Sequence, residues 1–253
     1  MIQKFMKKIF MFLAVIGFIA IAADFAIAQT PEISASELVG GQSDVPVYQQ
    51  IKDKFIEGGA GFMATILLCL ILGLALAIER IIYLTLATTN TKKLLSKVEE
   101  ALKNGGVDAA KEVCRNTRGP VASIFYQGLC RMNEGMEVVE KSVVSYGSIQ
   151  MSQLENGLSW IQLFIAVAPM LGFLGTVVGM IGAFDAIQAA GDISPTVVAG
   201  GIKIALITTV GGLIVAIILQ LFYNYIVSKI DSIVMSMEEA SISLIDLLVN
   251  YKK

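Results

Sequence analysis

Histidine is absent from this chain of 253 residues, and charged residues make up only 16% of it. Without histidine, the chain has no Ser-His-Asp triad, no histidine metal ligand and no imidazole that senses pH. The three cysteines match neither a zinc-binding spacing nor a CxxC pair. The 19 basic residues nearly balance the 21 acidic ones, so no basic field attracts nucleic acid. We therefore expect no metal, no cofactor and no nucleic-acid partner.

Apolar residues are abundant instead, at 55% of all positions. This share is well above that of an ordinary soluble domain and indicates a membrane protein. Three apolar segments are long enough to cross a lipid bilayer as helices, over residues 58–86, 161–184 and 198–226. No alternating strand pattern and no repeat occurs along the sequence. The sequence thus predicts an all-α, polytopic membrane protein with three transmembrane helices.

The N-terminus has the features of a secretory signal peptide. Three lysines precede an apolar run over residues 9–23, and an Ala-Ile-Ala site follows at residues 26–28. We predict a signal peptide over residues 1–28 that is cleaved after its last residue; the alternative is an uncleaved signal anchor. Residues 29–57 then form a periplasmic extension that ends in a short amphipathic helix near the membrane surface.

Charge is distributed unevenly between the segments that connect the spans. Residues 87–160 hold nine Lys or Arg and show helical periodicity with breaks at residues 104–106 and 119–120, whereas residues 185–197 hold no basic residue. By the positive-inside rule, the first segment is a cytoplasmic helical region and the second is a periplasmic loop. This orientation in the inner membrane places the mature N-terminus in the periplasm and the C-terminus in the cytoplasm.

The third predicted span is longer than the bilayer is thick. At ~1.5 Å per residue, residues 198–226 extend roughly 43 Å, against a hydrocarbon core of ~30 Å. Residues 227–253 follow as a cytoplasmic C-terminal helix with one apolar stripe, which needs a partner among the helices of residues 92–155. The stripe consists of Ile230, Ile233, Val234, Met237, Ile242, Leu244, Ile245 and Leu248.

Small residues recur on one face of the second span. Four glycines follow one another at spacings of three, four and three residues, so a helix aligns them where another backbone can approach closely. The third span has small residues of its own, including Gly212, and threonines border both sets. We expect this surface to pack tightly, within or between subunits of a homo-oligomer, around something polar. The four glycines are Gly172, Gly175, Gly179 and Gly182, and the threonines are Thr176, Thr208 and Thr209.

Several runs in these spans carry a resemblance to a known family. They are Ala168-Pro-Met-Leu-Gly-Phe-Leu-Gly-Thr-Val-Val-Gly179, Gly201-Ile202, Ala205-Leu-Ile-Thr-Thr-Val-Gly-Gly-Leu213 and Ile78-Glu79-Arg80. With them, the chain resembles the MotA/TolQ/ExbB proton-channel family, and most closely its ExbB branch. The resemblance covers about residues 60–230 and keeps the order of one span, a cytoplasmic helical segment and two further spans.

The resemblance implies a motor driven by the proton-motive force, with the proton as the translocated ion. Subunits of three spans form a pentamer around a pore, and the pore holds an ExbD-like single-span protein whose membrane aspartate carries the proton. An ExbB-like function further implies a TonB-like protein and energised transport across the outer membrane. The alternatives are a TolQ-like role in envelope maintenance, a gliding or flagellar stator and, from another class, a non-conducting membrane scaffold.

An intramembrane enzyme is not expected, because the second and third spans contain no Asp, Glu, His or Cys that could act as a base or bind a metal. The resemblance instead assigns Thr176 and Thr209 to the lining of the proton path, with Thr208 as an additional hydroxyl where relatives often have alanine. Threonine hydroxyls both donate and accept hydrogen bonds, so they suit either protonation state of a carboxyl group. The alternative is a hydrogen bond from each hydroxyl to the carbonyl four residues earlier.

The chain departs from well-known relatives at Ile204, where they have a glutamate. The neighbouring Lys203 is the charged residue of the third span, and we expect it to reach the interface or to make an intersubunit contact. Pro169 removes one helical hydrogen bond and predicts a kink, either in the pore wall or as an ordinary packing feature. Glu79 and Arg80 end the first span and are predicted to lie at the membrane interface.

Overall fold

The computed structural model describes residues 47–191 and 195–252. The predicted signal peptide and most of the predicted periplasmic extension lie outside the described residues. The chain divides into two units, residues 1–51 and 52–253, and the first contributes only the start of one helix to the described part. The fold below is that of the second unit.

The described residues form helices and no strands, which confirms the all-α prediction. Seven α-helices and one short 3-10 helix follow one another along this part of the chain. They are α1 (Val47–Glu57), α2 (Ala60–Ala87), α3 (Thr91–Arg115), α4 (Pro120–Cys130), the 3-10 helix (Met132–Glu134), α5 (Met136–Glu155), α6 (Leu158–Ala190) and α7 (Pro195–Lys252).

Three of these helices, α2, α6 and α7, are long and apolar enough to cross a membrane. The α6 helix continues six residues past the predicted end of its span at residue 184, and α7 begins at Pro195, so the connection between them is shorter than the predicted loop. The α7 helix has 58 residues. At ~1.5 Å per residue it is about 87 Å long, almost three times the thickness of the hydrocarbon core.

Local sequence features determine where several helices begin or bend. Asn90 caps α3, since its side-chain oxygen accepts a hydrogen bond from the Lys93 amide at 3.1 Å. Pro120 begins α4, because its fixed φ suits the first helical turn. Gly157, with a φ of 85°, separates α5 from α6 in a conformation that favours glycine. The first predicted break is a bend within α3 at Gly106, whose φ is 70°.

The apolar parts of α2, α6 and α7 share a small core. Ile66 and Cys69 from α2 pack with Ala168 from α6 and with Leu219 from α7. Gly73 makes room for that leucine, because a Cβ at Gly73 would lie only 2.6 Å from Leu219 Cδ1. This three-helix core brings α6 and α7 side by side.

A larger core joins the C-terminal part of α7 to α3, α4 and α5. Phe125 from α4, Leu154 from α5 and Leu244 from α7 are among its fully buried side chains. This arrangement confirms the predicted pairing of the C-terminal helix with the helices of residues 92–155. The prediction that Ile242 belongs to this apolar stripe was wrong, since Ile242 is 62% exposed and lies on the outer face of α7.

Candidate functional site

Glycines allow α6 and α7 to approach with their backbones in contact. A Cβ at Gly172 would lie 2.9 Å from the Thr208 carbonyl oxygen, and a Cβ at Gly212 would lie 2.5 Å from the Ala168 carbonyl oxygen. At Gly179, an added Cβ would lie 3.3 Å from that of Ala205. The glycine surface that the sequence predicts is therefore a contact between two helices of one subunit.

Thr208 lies inside this contact. Its side chain is 1% exposed, and its hydroxyl donates a hydrogen bond to the Ala205 carbonyl oxygen at 2.8 Å. Gly175 provides the space that it occupies, because a Cβ there would lie 2.6 Å from Thr208 Oγ1. This position differs from the predicted pore-lining role, since a side chain enclosed by its own two helices has no surface for another chain.

Thr176 and Thr209 lie at the edge of the same contact and are partly exposed. The Thr176 hydroxyl donates to the Phe173 carbonyl oxygen at 2.6 Å. The Thr209 hydroxyl lies 3.4 Å from two carbonyl oxygens, that of Ala205 in its own helix and that of Gly172 in α6. The second of these links the two helices, and its Gly172 acceptor is one helical turn from Thr176.

The hydrogen bonds of these two threonines differ in strength. A hydroxyl bond of 2.6 Å is short, whereas one of 3.4 Å is long and weak. Each hydroxyl has one proton and two acceptor lone pairs, so both threonines keep an acceptor for an incoming proton donor. Thr209 is also easily rotated toward a new acceptor, because it gives up only weak bonds.

Gly182, the last glycine of the predicted surface, lies outside the helix contact. An added Cβ there would meet no atom within 4 Å. The contact at this level is made by Ala183, which packs against Gly201 in α7. The Gly-Gly dipeptide at the start of the third span indicates such a contact in the sequence, because it can lie against a small residue of the second span.

Lys203 forms an ion pair within the subunit. Its amino group lies 3.1 Å from a carboxylate oxygen of Glu57, at the end of α1, and Lys54 binds the same oxygen at 2.8 Å. The hydrogen bond from Lys54, and then that from Lys203, lowers the pKa of the Glu57 carboxyl below its usual value. Next to this pair, Gly58 packs on the Ile207 side chain. The lysine thus holds the α1–α2 junction against α7, which sequence reasoning missed.

Arg80 is packed rather than extended into solvent. Its side chain is 15% exposed and lies 3.1 Å from the carboxylate of Glu79 and over the ring of Tyr83. A Cβ at Gly157 would lie 2.9 Å from Arg80 Nε. The guanidinium therefore sits against the α5–α6 junction and ties the end of α2 to the start of α6. Pro169 lies inside α6, which continues through it without interruption.

Within residues 47–191 and 195–252, no group of three or more Cys, Asp or Glu side chains is arranged to hold a metal ion. The candidate site is the hydroxyl-bearing edge of the α6–α7 pair. Its members Thr176 and Thr209 offer neutral hydrogen bonding and no fixed charge. Such a surface suits a group whose protonation state changes while it is bound.

Comparison with known proteins places this geometry in a family context. The model of the MotA/TolQ/ExbB proton channel family matches residues 116–239, which include α6 and the Thr209 region. A biopolymer transport protein ExbB homologue of Methanothermobacter thermautotrophicus is 35% identical over 182 residues, which cover 72% of this chain and 63% of that protein. The chain thus spans less than two thirds of that relative's length.

Two further relatives match over shorter segments. An ExbB-like biopolymer transport protein of Synechocystis is 29% identical over 156 residues, or 61% of this chain and 74% of that protein. The Tol-Pal system protein TolQ of Haemophilus influenzae is 34% identical over 84 residues, or 33% of this chain and 37% of its own length. The family model and these relatives together support membership of the chain in the MotA/TolQ/ExbB proton channel family.

Proposed function

We propose that this chain is the ring subunit of an inner-membrane motor driven by the proton-motive force. With an ExbD-like single-span protein and a TonB-like protein, the motor energises transport across the outer membrane. Three findings support this function: the family, the relatives named ExbB, and three helices of membrane-spanning length. The observation that carries it is the pair of accessible threonines at the edge of the glycine-packed α6–α7 contact.

The assembly that we propose is a homopentamer with the α6–α7 edge facing a central pore. The partner's membrane aspartate lies in that pore and exchanges protons with it. The nine basic residues of the region 87–160 favour the cytoplasm for this region and for the C-terminus. The α1 helix is then periplasmic, and the short connection between α6 and α7 lies on the same side.

Proton transfer in this pore uses both properties of the hydroxyl group. A protonated aspartate donates to the free lone pair of Thr176, whose own O–H continues to donate to the Phe173 carbonyl oxygen. A deprotonated aspartate needs donors, and Thr209 provides one by releasing its two 3.4 Å contacts. Neither residue is charged, so neither holds the aspartate permanently in its ionised form.

Proton flux through proteoliposomes that contain this chain and its single-span partner tests the function. Thr176→Val and Thr209→Val keep the side-chain shape but remove a donor and an acceptor. Loss of a hydrogen bond to the partner's aspartate inside the enclosed pore costs ~1–3 kcal/mol, so we expect flux to fall roughly tenfold. The matched control is Thr208→Val, which makes the same chemical change at a buried position and should keep most of the flux.

Normal flux in a Thr176→Val, Thr209→Val double variant, at wild-type protein levels, would contradict the proton-path assignment. Absence of flux from the wild-type complex would favour the non-conducting scaffold. The match to a TolQ protein supports a second candidate, a motor for envelope maintenance. Deletion of the gene separates the two motors, because an ExbB-like loss abolishes energised uptake, whereas a TolQ-like loss makes the envelope leak.

A further inference from the structure

A small crevice lies where the end of α2, the starts of α3 and α4, and the middle of α7 meet. Its wall is rich in hydroxyl groups and contains one lysine, Lys229. The crevice lies just beyond the predicted cytoplasmic ends of the first and third spans, at residues 86 and 226. The hydroxyl-bearing residues are Thr88, Thr89, Thr91, Ser232 and Ser236. We call this feature the hydroxyl crevice.

Lys229 and the cations that are close to the hydroxyl crevice in sequence have no acidic partner in the described part of the chain. Among the described residues, no carboxylate oxygen forms an ion pair with Lys229, Lys92, Lys93 or Arg118. Arg118 is held near the crevice by its backbone, because its carbonyl oxygen accepts a hydrogen bond from the Thr89 hydroxyl at 2.7 Å. The lysine in the crevice wall therefore carries a charge that forms no ion pair with another described residue.

The hydroxyl groups of the crevice fall into two sets, those that already donate a hydrogen bond within the protein and those that remain free to donate. Thr88 donates to the Leu84 carbonyl oxygen at 2.8 Å, and Ser236 donates to that of Ser232 at 2.9 Å. By contrast, the side chains of Thr91 and Ser232 make no hydrogen bond to another described residue. With the ammonium group of Lys229, they provide three donors of the kind that bind phosphate oxygens.

An apolar groove adjoins the hydroxyl crevice and shares its Ala87 and Pro120 walls. Tyr83 and Leu86, near the end of α2, line this groove, and Leu86 is 73% exposed. A free phosphate ion would use only the polar crevice. A phospholipid uses both features, because its phosphate meets the cation and hydroxyls while its glycerol and acyl region lies along the apolar wall.

From this arrangement we infer that the hydroxyl crevice binds the phosphate of an anionic phospholipid in the cytoplasmic leaflet. Lys229 provides the charge, and Thr91 and Ser232 provide neutral hydrogen bonds. The crevice is small, so it accommodates the phosphate group, while Lys92, Lys93 and Arg118 attract the rest of an anionic headgroup. Bound lipid would connect α2, α3, α4 and α7 at the membrane surface and so join the membrane helices to the helical region beside them.

Native mass spectrometry of the purified full-length assembly, titrated with phosphatidylglycerol, tests this site. We expect Lys229→Gln to weaken lipid binding about fivefold, which is the usual contribution of one lysine near an anionic surface. Lys229→Arg should keep the affinity. The matched control is Lys141→Gln, which removes an exposed lysine that is paired with Glu137 on α5 and should leave lipid binding unchanged.

A second variant keeps the charge. Thr91→Ala with Ser232→Ala should also weaken phosphatidylglycerol binding, and it serves as the test if Lys229→Gln fails to fold. Phosphatidylcholine should bind more weakly than phosphatidylglycerol, and soluble glycerophosphoglycerol should not displace the lipid at equal concentration. Equal lipid affinity for folded wild-type and Lys229→Gln proteins would overturn the proposal, as would displacement by the soluble headgroup, which would indicate a free-phosphate site. Lipid binding is measured without proton flux, so this test is independent of the motor function.

Discussion

Adding one methyl group at Gly212 should separate the two helices that carry the candidate site. In Gly212→Ala, the new Cβ would lie 2.5 Å from the Ala168 carbonyl oxygen and 3.2 Å from the Gly172 Cα. Carbon and oxygen normally approach no closer than ~3.3 Å, so the backbones must move apart by close to 1 Å. Both contacts are backbone atoms, and no flexible side chain can move aside.

The expected cost combines two effects of opposite sign. Overpacking of a well-packed contact costs ~1–3 kcal/mol, and a backbone clash belongs at the upper end of that range. Replacing glycine by alanine in a helix returns up to ~1 kcal/mol. The net loss of about 1–2 kcal/mol should lower the Tm by about 2–8 °C for a chain of this size. Thermal unfolding of the purified protein in detergent measures the shift.

Gly182→Ala is the matched control on the same pair of helices. The added methyl group meets no atom within 4 Å, so only the gain in helix propensity remains, and the Tm should stay the same or rise. A Tm loss for Gly182→Ala as large as that for Gly212→Ala would refute the reasoning, because the effect would then not come from the α6–α7 contact. An unchanged Tm for Gly212→Ala would refute it equally.

Three further predictions concern the helical region next to the membrane. Leu244→Asp places an unpaired charge in the larger core and should prevent accumulation of the protein. The control Ile242→Asp lies on the exposed face of α7 and should be tolerated. Equal accumulation of the two variants, measured by immunoblotting of membranes, would contradict this prediction. Burial, and then the nearby Cys130, raises the pKa of the Cys114 thiol from 9.0 to about 12, so a maleimide at neutral pH should label exposed Cys130 and leave Cys114 unmodified. The folded state holds the Cys114 thiol proton more tightly than the unfolded state does, so Cys114 should favour folding below pH 9. This contribution should be lost as the pH rises toward 12. The difference in unfolding free energy between wild type and Cys114→Ala should therefore become smaller between pH 9 and pH 12.

Hydroxyl groups provide hydrogen bonds in both the candidate site and the proposed lipid site. In both places, the hydroxyl that donates to the ligand is one whose own hydrogen bond is long or absent, as in Thr209 and Ser232, whereas Thr176 serves as an acceptor. Hydroxyls with short bonds to the preceding turn, such as that of Thr88, are already committed as donors. The length of the local hydrogen bond therefore separates hydroxyls that can donate to a ligand from those whose proton is already used within their own helix.

Local sequence determined the helical architecture of the described chain. Runs of apolar residues predicted the three long helices, since a segment in lipid must satisfy its own backbone hydrogen bonds. The 3.6-residue period predicted that the end of α7 packs on neighbouring helices, and Leu244 and Leu248 are fully buried there. These features depend on neighbours in sequence, which is why they were predictable.

Tertiary structure alone decided how each helix is rotated and which distant residues meet. Thr208 and Thr209 are adjacent in sequence, yet the first is enclosed opposite Gly175 and the second lies at the edge of the contact. The ion pair between Lys203 and Glu57 joins residues that no local pattern connects. A helix turns ~100° per residue, so a small change in the rotation that packs two helices exchanges a buried side chain for an exposed one. Periodicity defines a face, but only the shape of the neighbouring helix determines which residues that face encloses.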